Sequence, residues 1–434
     1  QNTTGSENIN IGYQSGYTNN TGNYNLLLGY QTGYNIGNNN YNIFMGYQSG
    51  YNINSNNNIF LGYQAGKGNI TSINRGDTNI GIGYQALTSI DQGDFNTCIG
   101  QNAGQNISNG SVNVCLGSST GYNLTTGSNN CIIGDRAGYH TTTQSFNIFV
   151  GTQAGFSSTS DNSLYMGFNC GSDTSGTQNT YIGNYTGQYA NGNYNTFLGY
   201  FSAQNQSNSG DYNTFVGSYA GSFAKGHNNL LAGSGSGYGL TGNNNVLLGI
   251  SAGNFTTGDN NVLIGPNAGN HTSGNGNIII TPNGNTSSRT YNNRLIIEST
   301  VNTTPLIFGD LANNIVFINT TSNISSLSSQ TALVVNGKAR AGAFTSFTGL
   351  HQVVIPDFDA AIYQQGMVLH STRCLSKVDP LNPVMECSLA TSPLDKTIYC
   401  VYYNQEINSI TGETEYYGAA VGEGCILATN INGH

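Results

Sequence analysis

From Gln1 to Thr281, short apolar clusters recur at a near-constant spacing between polar punctuation. The unit reads Asn-Φ-Φ-Φ-Gly-Tyr-Gln-x-Gly, with Φ apolar or threonine. It opens as Asn8-Ile9-Asn10-Ile11-Gly12-Tyr13-Gln14-Ser15-Gly16 and returns as Asn25-Leu26-Leu27-Leu28-Gly29-Tyr30-Gln31-Thr32-Gly33, then from Asn42 with Gly46, Tyr47 and Gly50, and from Asn58 with Gly62, Tyr63 and Gly66. The first glycine of the unit occurs sixteen times, from Gly12 to Gly265. Its steps are 16 or 17 residues, apart from 21 at Gly62→Gly83 and 18 at Gly199→Gly217. A seventeenth unit, Asn277-Ile278-Ile279-Ile280-Thr281, drops the glycine and closes the array.

The register is strict. The residue before the glycine is apolar in all seventeen units. Asn stands four before it in sixteen, with Ser163 the exception. Gly stands four after it in fourteen of the sixteen glycine units, replaced by Leu87 and Ala203 in the others. The glycine and asparagine load, with β-branched residues at Φ, excludes helix. Each unit predicts a short strand, a glycine corner, a second extended piece and a loop such as Thr21-Gly22-Asn23 or Thr257-Gly258-Asp259. A unit this short buries its apolar face only against its neighbours, so the units must stack as coils of a β-solenoid.

Stacking accounts for an odd composition. Of 434 residues only 7% are charged, where roughly 25% is usual, while Gly contributes 60 and Tyr 28. Equivalent residues on successive coils lie about 4.8 Å apart, so a repeated charge would build a ladder of like charges. Neutral amides instead hydrogen-bond along the stack, and Tyr13, Tyr30, Tyr47, Tyr63 and Tyr84 should form an aromatic column. Seventeen coils make a rod of roughly 80 Å. At about 3.3 Å per residue a 16-residue coil has a perimeter near 53 Å, enough to enclose little beyond Gly, Ala and a few aliphatics. The expected arrangement is three chains side by side burying alternate Φ side chains on a shared axis, rather than a self-sufficient single-chain β-helix.

The period ends at Thr281. Residues 282–345 carry four strand-like runs: Arg294 to Glu298, Pro305 to Asp310, Ile315 to Ile318 and Ala332 to Lys338. Residues 346–434 hold 12 of the 31 charges, four of seven prolines and four of eight cysteines. Runs such as Met367-Val368-Leu369 and Thr397 to Tyr403 suggest a compact β domain. The final Asn432-Gly433-His434 stops in mid-pattern, so the expectation is that further sequence was cleaved away or is simply not included, and a start at Gln1 would fit removal of a signal peptide, although the sequence could begin anywhere.

These residues resemble known architectures. The Asn-Φ-Φ-Φ-Gly-Tyr-Gln-Ala-Gly coils look like the β-roll head repeats of trimeric autotransporter adhesins and of viral and phage fibres, whose usual coil is shorter. Arg294 to Asp310 with Val334-Val335-Asn336-Gly337 is similar to the stalk segments that follow such repeats. Phe347 to His351 and Gly422 to Gly433 look like the domain preceding the intramolecular chaperone of endosialidase-type tail spikes. The resemblance implies an all-β chain: a left-handed parallel β-roll of 16–17-residue coils over 1–281, trimeric, then a β stalk over 282–345 and a small C-terminal β domain over 346–434.

Little in the sequence points to catalysis. Gly117-Ser118-Ser119-Thr120-Gly121 and Gly249-Ile250-Ser251-Ala252-Gly253 match a nucleophile-elbow pattern, but Ser119 and Ser251 fall where Gln14 and Gln31 fall in other units. Gly62-Tyr63-Gln64-Ala65-Gly66-Lys67-Gly68 lacks the spacing and closing Ser/Thr of a phosphate-binding loop. The six histidines, among them His140, His227 and His271, show no metal-ligand spacing. Asp94, Asp211 and Asp259 each follow a glycine in a loop, where turn chemistry explains them and a Ca²⁺ ladder would need more carboxylates. No cofactor is implied. Cys98 and Cys115 share one register position and should be stacked neighbours, as buried thiols rather than a disulfide, with Cys131 one position off. Cys374, Cys387, Cys400 and Cys425 form an even set; outside the cell they read as disulfides, with three pairings open. Candidate glycosylation sequons stand at Asn2, Asn19, Asn69, Asn106, Asn109, Asn123, Asn184, Asn205, Asn254, Asn270, Asn285, Asn302, Asn319 and Asn323.

The expected function is therefore non-enzymatic: an extracellular, cell-surface or virion-surface homotrimeric fibre glycoprotein, with a structural shaft that binds host glycans or a receptor by avidity. The alternatives are a subunit of a non-adhesive extracellular filament and, third, a polysaccharide-cutting tail spike, against which the missing carboxylate pair and absent Trp count. The mild net charge of −9 and lack of a basic patch argue against nucleic-acid binding, and no run of 18 apolar residues exists to insert in a membrane.

Overall fold

The computed structural model describes residues 4–69, 76–205, 210–284, 289–298, 305–313, 315–318, 333–335, 353–354, 401–407 and 414–419. Among these there is no helix; the chain is a parallel β-solenoid. Sixteen three-residue strands run from β1 (Ile9–Ile11) to β16 (Val262–Ile264), one per coil. Each pairs in parallel with the next, residue for residue and without a slip. Even the 21-residue step keeps register, with Ile59 opposite Ile80.

Numbering each coil from its first glycine as position 0 shows what faces inward. Position −2, the middle of the strand, is buried from Leu27 onward, while −3 and −1 point outward and are half-buried or exposed. Position +3 is a small buried residue such as Thr32, Ala103 or Ser202, and +7 supplies a third buried column, including Ile36, Ile107 and Leu124. The glycine at 0 adopts φ near +135°, as in Gly100 (+139°), and a Cβ there would collide with the carbonyl oxygen of Gly117 on the next coil. Backbone approach and the positive φ together fix that column as glycine.

The interior corrects one expectation. A single coil encloses aromatic rings: Phe44, Phe60, Phe149, Tyr165, Tyr181, Phe197 and Phe215 are buried at −2. From Phe149 to Phe215 these rings stack coil on coil at 4.7–5.0 Å. Space comes from exchange of volume across the coil. Large residues at −2 face small ones at +7, as in Phe149 with Ser158, Tyr165 with Thr174, Tyr181 with Ala190 and Phe215 with Ala224. Where −2 is small, +7 is large: Cys98 with Ile107, Cys115 with Leu124, Gly81 with Ile90. In these coils a large residue at one position is balanced by a small one at the other, while Leu27 with Ile36, Phe44 with Ile53 and Leu231 with Leu240 bury two large residues together. The coil needs no neighbouring chain to close its core, so the narrow-coil argument for a shared trimer axis falls. Three-fold assembly must rest on other grounds.

By compactness the chain divides into two units, Gln1–Gly276 with Asn283–Tyr291, and Asn277–Pro282 with Asn292–His434. The first ends on a short parallel pair, β17 (Thr272–Ser273) with β19 (Arg289–Thr290). In the second, β18 (Ile278–Ile280) pairs in parallel with β20 (Arg294–Ile297). Strand β20 then continues antiparallel to β21 (Ile307–Asp310), and β21 to β22 (Ile315–Ile318). Val401–Ile407 and Thr414–Ala419 form an antiparallel pair with an irregularity between Tyr402 and Asn404. The strand expected at Met367-Val368-Leu369 lies outside the described residues.

Volume exchange predicts a coupled pair. Cys115→Phe should overpack its coil at a cost of about 1–3 kcal/mol, and Leu124→Ala should hollow it at a cost of about 2–5 kcal/mol. Combined, they should recover at least about 1 kcal/mol of the summed loss in urea denaturation. Simple additivity would contradict the exchange.

Candidate functional site

Two side-chain ladders run along the array, one on the repeated Asn column singled out in the sequence and one on a column of mixed residues beside it. Position −4 carries the first. The Oδ1 of Asn8 accepts the backbone N–H of Asn25 at 2.9 Å, Asn25 serves Asn42 and Asn42 serves Asn58 in the same way. The series continues to Asn261 at 2.8–3.1 Å, Ser163 keeping its place by accepting the N–H of Asn179 through its hydroxyl at 3.2 Å. Most Nδ2 groups on this column donate to a loop carbonyl of the following coil, as Asn96 does to Gly110 and Asn113 to Gly127. A buried amide so used is satisfied at both ends.

The second ladder, at −6, runs the other way: the N–H donates forward to the side chain of the next coil, from Ser6 through Ser145 and again from Thr177 to Asp259. Its acceptors are chemically mixed, with Asn40 for Asn23, Asp94 for Asp77, Ser128 for Ser111, His227 for Asp211 and Asp259 for Asn243, all at 2.6–3.0 Å. Asp94, Asp211 and Asp259 thus serve as hydrogen-bond acceptors in the loop. Among the described residues no group of three His, Cys, Asp or Glu side chains could hold a metal ion. The two ladders cover the residues beside the strand, where sheet bonding alone would leave N–H groups unpaired.

Position +2 sits in the left-handed region whatever occupies it: Gln14 at +53°, Ser119 and Ser251 at +52°. The two serines therefore stand as repeat residues at a corner. The glutamines there form a short amide chain from Gln14 through Gln31, Gln48 and Gln64 to Gln85 at 2.9–3.1 Å. Beside it Tyr13, Tyr30, Tyr47, Tyr63 and Tyr84 stack at 5.1–5.3 Å and remain exposed. Tyr17, Tyr34 and Tyr51 make a second column, and Tyr24 with Tyr41 a third. Ring faces are spent on neighbours along the axis, so these columns turn edges and hydroxyls outward.

Buried titratable groups lie inside the array. Cys98 and Cys115 are paired neighbours in register, both buried and both free thiols, while Cys131 pairs with Val114 and faces outward. Burial pushes the Cys98 and Cys170 thiols and the Tyr165 and Tyr181 phenols upward. The Tyr165 hydroxyl donates to Ser160 at 2.8 Å; that of Tyr181 has no hydrogen bond, the Asn195 amide beside it falling outside bonding geometry.

Among the sequons, Asn109 and Asn184 are exposed, and Asn69 as well. Asn19 and Asn270 are buried and leave no room for a glycan in the folded coil. Asn106, Asn123, Asn205 and Asn254 are half-buried, the first two linked to Asn123 and His140 along the stack. Asn2, Asn285, Asn302, Asn319 and Asn323, like Cys374, Cys387, Cys400 and Cys425, lie outside the described residues. Compared with known proteins, the chain matches no family model, no curated protein and no solved structure.

Two measurements follow from the buried phenols. Tyr181→Phe should be neutral or stabilise by about 1 kcal/mol, whereas Tyr165→Phe should cost about 1 kcal/mol because it strands Ser160. Equal losses on urea denaturation would contradict the assignment. In the folded state both phenols hold their protons above the ordinary value of 10.0, so their stabilisation is complete below that pH and is lost as pH rises past it. Ultraviolet titration should show both ionising only with unfolding; ionisation in the intact array would count against their burial.

Proposed function

We propose that the chain is the shaft of an extracellular or virion-surface homotrimeric fibre that attaches to a host or glycan surface through groups repeated on every coil. The observation that carries this reading is the unbroken register of sixteen strands, which sets the same surface residues at one spacing along the array. Such an array gains avidity from repetition without any deep pocket. The sequence resemblance to β-roll heads of adhesins and fibres supports it, and so does the exposure of sequons Asn109 and Asn184, where glycans would coat the rod. A second reading, a non-adhesive filament subunit, draws on the tyrosine columns: rings stacked along the axis withhold the faces on which sugars stack.

The test combines mass, length and binding. Light scattering should give three times the 45.8 kDa chain mass. Deleting residues 117–150 removes two whole coils and joins Leu116 to Gly151 in register, so the variant should fold, shorten by about 10 Å and bind a glycan array or host cells less strongly. A trimer that binds no surface, with micrographs showing open-ended filaments, would favour the second reading.

A further inference from the structure

The outward side of the strands breaks a local rule in a patterned way. Position −5 is left-handed in every coil, with φ near +60°. Asn meets that demand at little cost and occupies it at Asn57, Asn129, Asn162, Asn228, Asn244 and Asn260. Yet Tyr24, Tyr41, Phe95, Val112, Phe146, Tyr194 and Tyr212 hold the same strained backbone. Bulky and β-branched residues are the least suited to it. Nor does the fold gain burial in return: Phe95 is 60% exposed, Phe146 59% and Val112 50%. Tyr24 stacks on Tyr41 and Tyr194 on Tyr212, but Phe146 stands between Asn129 and Asn162 with no ring to stack on. Strain combined with exposed apolar surface marks a contact made outside the chain.

The neighbouring columns make the patch continuous. Asn at −4 and Φ at −2 are buried, so −5, −3 and −1 emerge together on the outer side. Exposed members include Ile43, Met45, Ile99, Ile148, Met166 and Val216. From Tyr24 to Ile264 not one charged residue occupies −5, −3 or −1. The face repeats at the coil period, about 4.8 Å, over some fifteen coils, and only a partner with that period meets every column. Its width of about 16 Å and length of about 70 Å give roughly 1,100 Å², above the ~800 Å² per partner of a stable interface.

We infer that this face is where copies of the chain meet around the fibre's three-fold axis, in matching register, with the strained rings at −5 as anchors. The inference rests on the self-assembly in the proposed function and assigns it to one surface. Sedimentation over a concentration series tests it. Replacing Tyr24, Tyr41, Phe95 and Phe146 by Asn should raise the dissociation constant more than tenfold. At a dilution where wild type and variant are both monomeric, the variant should melt at an equal or higher temperature, since Asn suits the backbone better; an anchor that served only the fold would lower it. Met45→Lys, Ile99→Lys and Met166→Lys together attack the same face from −1 and should also block association. Unchanged association in both variants would overturn the inference. So would dissociation caused instead by Tyr30→Ser, Tyr47→Ser and Tyr63→Ser, which would leave self-assembly standing and move it to another face. A wild-type chain that stays monomeric at every concentration would overturn both the inference and the reading beneath it.

Discussion

Everything in the array depends on one constraint: each coil must return to the same place one strand spacing along the axis. Parallel pairing enforces this over the three positions of each strand, and further backbone bonds between coils do so at the corner, as from Gln31 to Tyr13 and from Gly33 to Ser49. Beside the strand, side chains take over the work of backbone carbonyls. The −4 column passes hydrogen bonds in one direction and the −6 column in the other, so each coil is gripped from both neighbours. A displacement by a single position would break both ladders and the sheet at once. That cooperativity lets coils this short, each too small to fold alone, hold together.

The same constraint sorts the composition. Charges repeated at the strand spacing repel one another, so asparagine, serine and glutamine carry most of the polar columns, and aspartates stand on adjacent coils at −6 in Asp77 and Asp94. Carbonyls of successive corners approach too closely for a Cβ, so glycine fills position 0. Inside, many coils set a large residue at −2 against a small one at +7 or the reverse, although Leu27 with Ile36 and Phe44 with Ile53 place large residues at both. Charge scarcity is thus a property of the stacked array: the chain up to Thr281 holds 13 of the 31 charges, and the much shorter remainder holds 18.

Much of this was legible because the columns are chemically uniform. Asn8, Asn25, Asn42 and Asn58, the glycines from Gly12 to Gly62 and the tyrosines from Tyr13 to Tyr63 announce register, strand and stacking directly, and Cys98 opposite Cys115 follows from the same count. The −6 ladder was hidden because any small acceptor serves it: Asn40, Asp94, Ser128 and His227 share a role but no side-chain type. Its one signal was that every member can accept a hydrogen bond. Left-handed positions −5 and +2 were hidden for a related reason, since Phe95 or Ser119 gives no hint of positive φ. The coil interior was misjudged from perimeter alone, because the pairing of Phe149 with Ser158 and Cys115 with Leu124 crosses the corner between two columns and shows only when both are read together.

Amide hydrogen exchange, resolved to single residues, tests most directly whether side-chain ladders hold the register. If they do, the backbone N–H groups at −4, from Asn25 to Asn261, and those at −6 will exchange as slowly as the N–H groups of the adjoining strands, recurring once per coil. If those amides instead exchange as fast as ordinary loop amides while the strands stay protected, sheet pairing alone sets the register and the ladders are incidental.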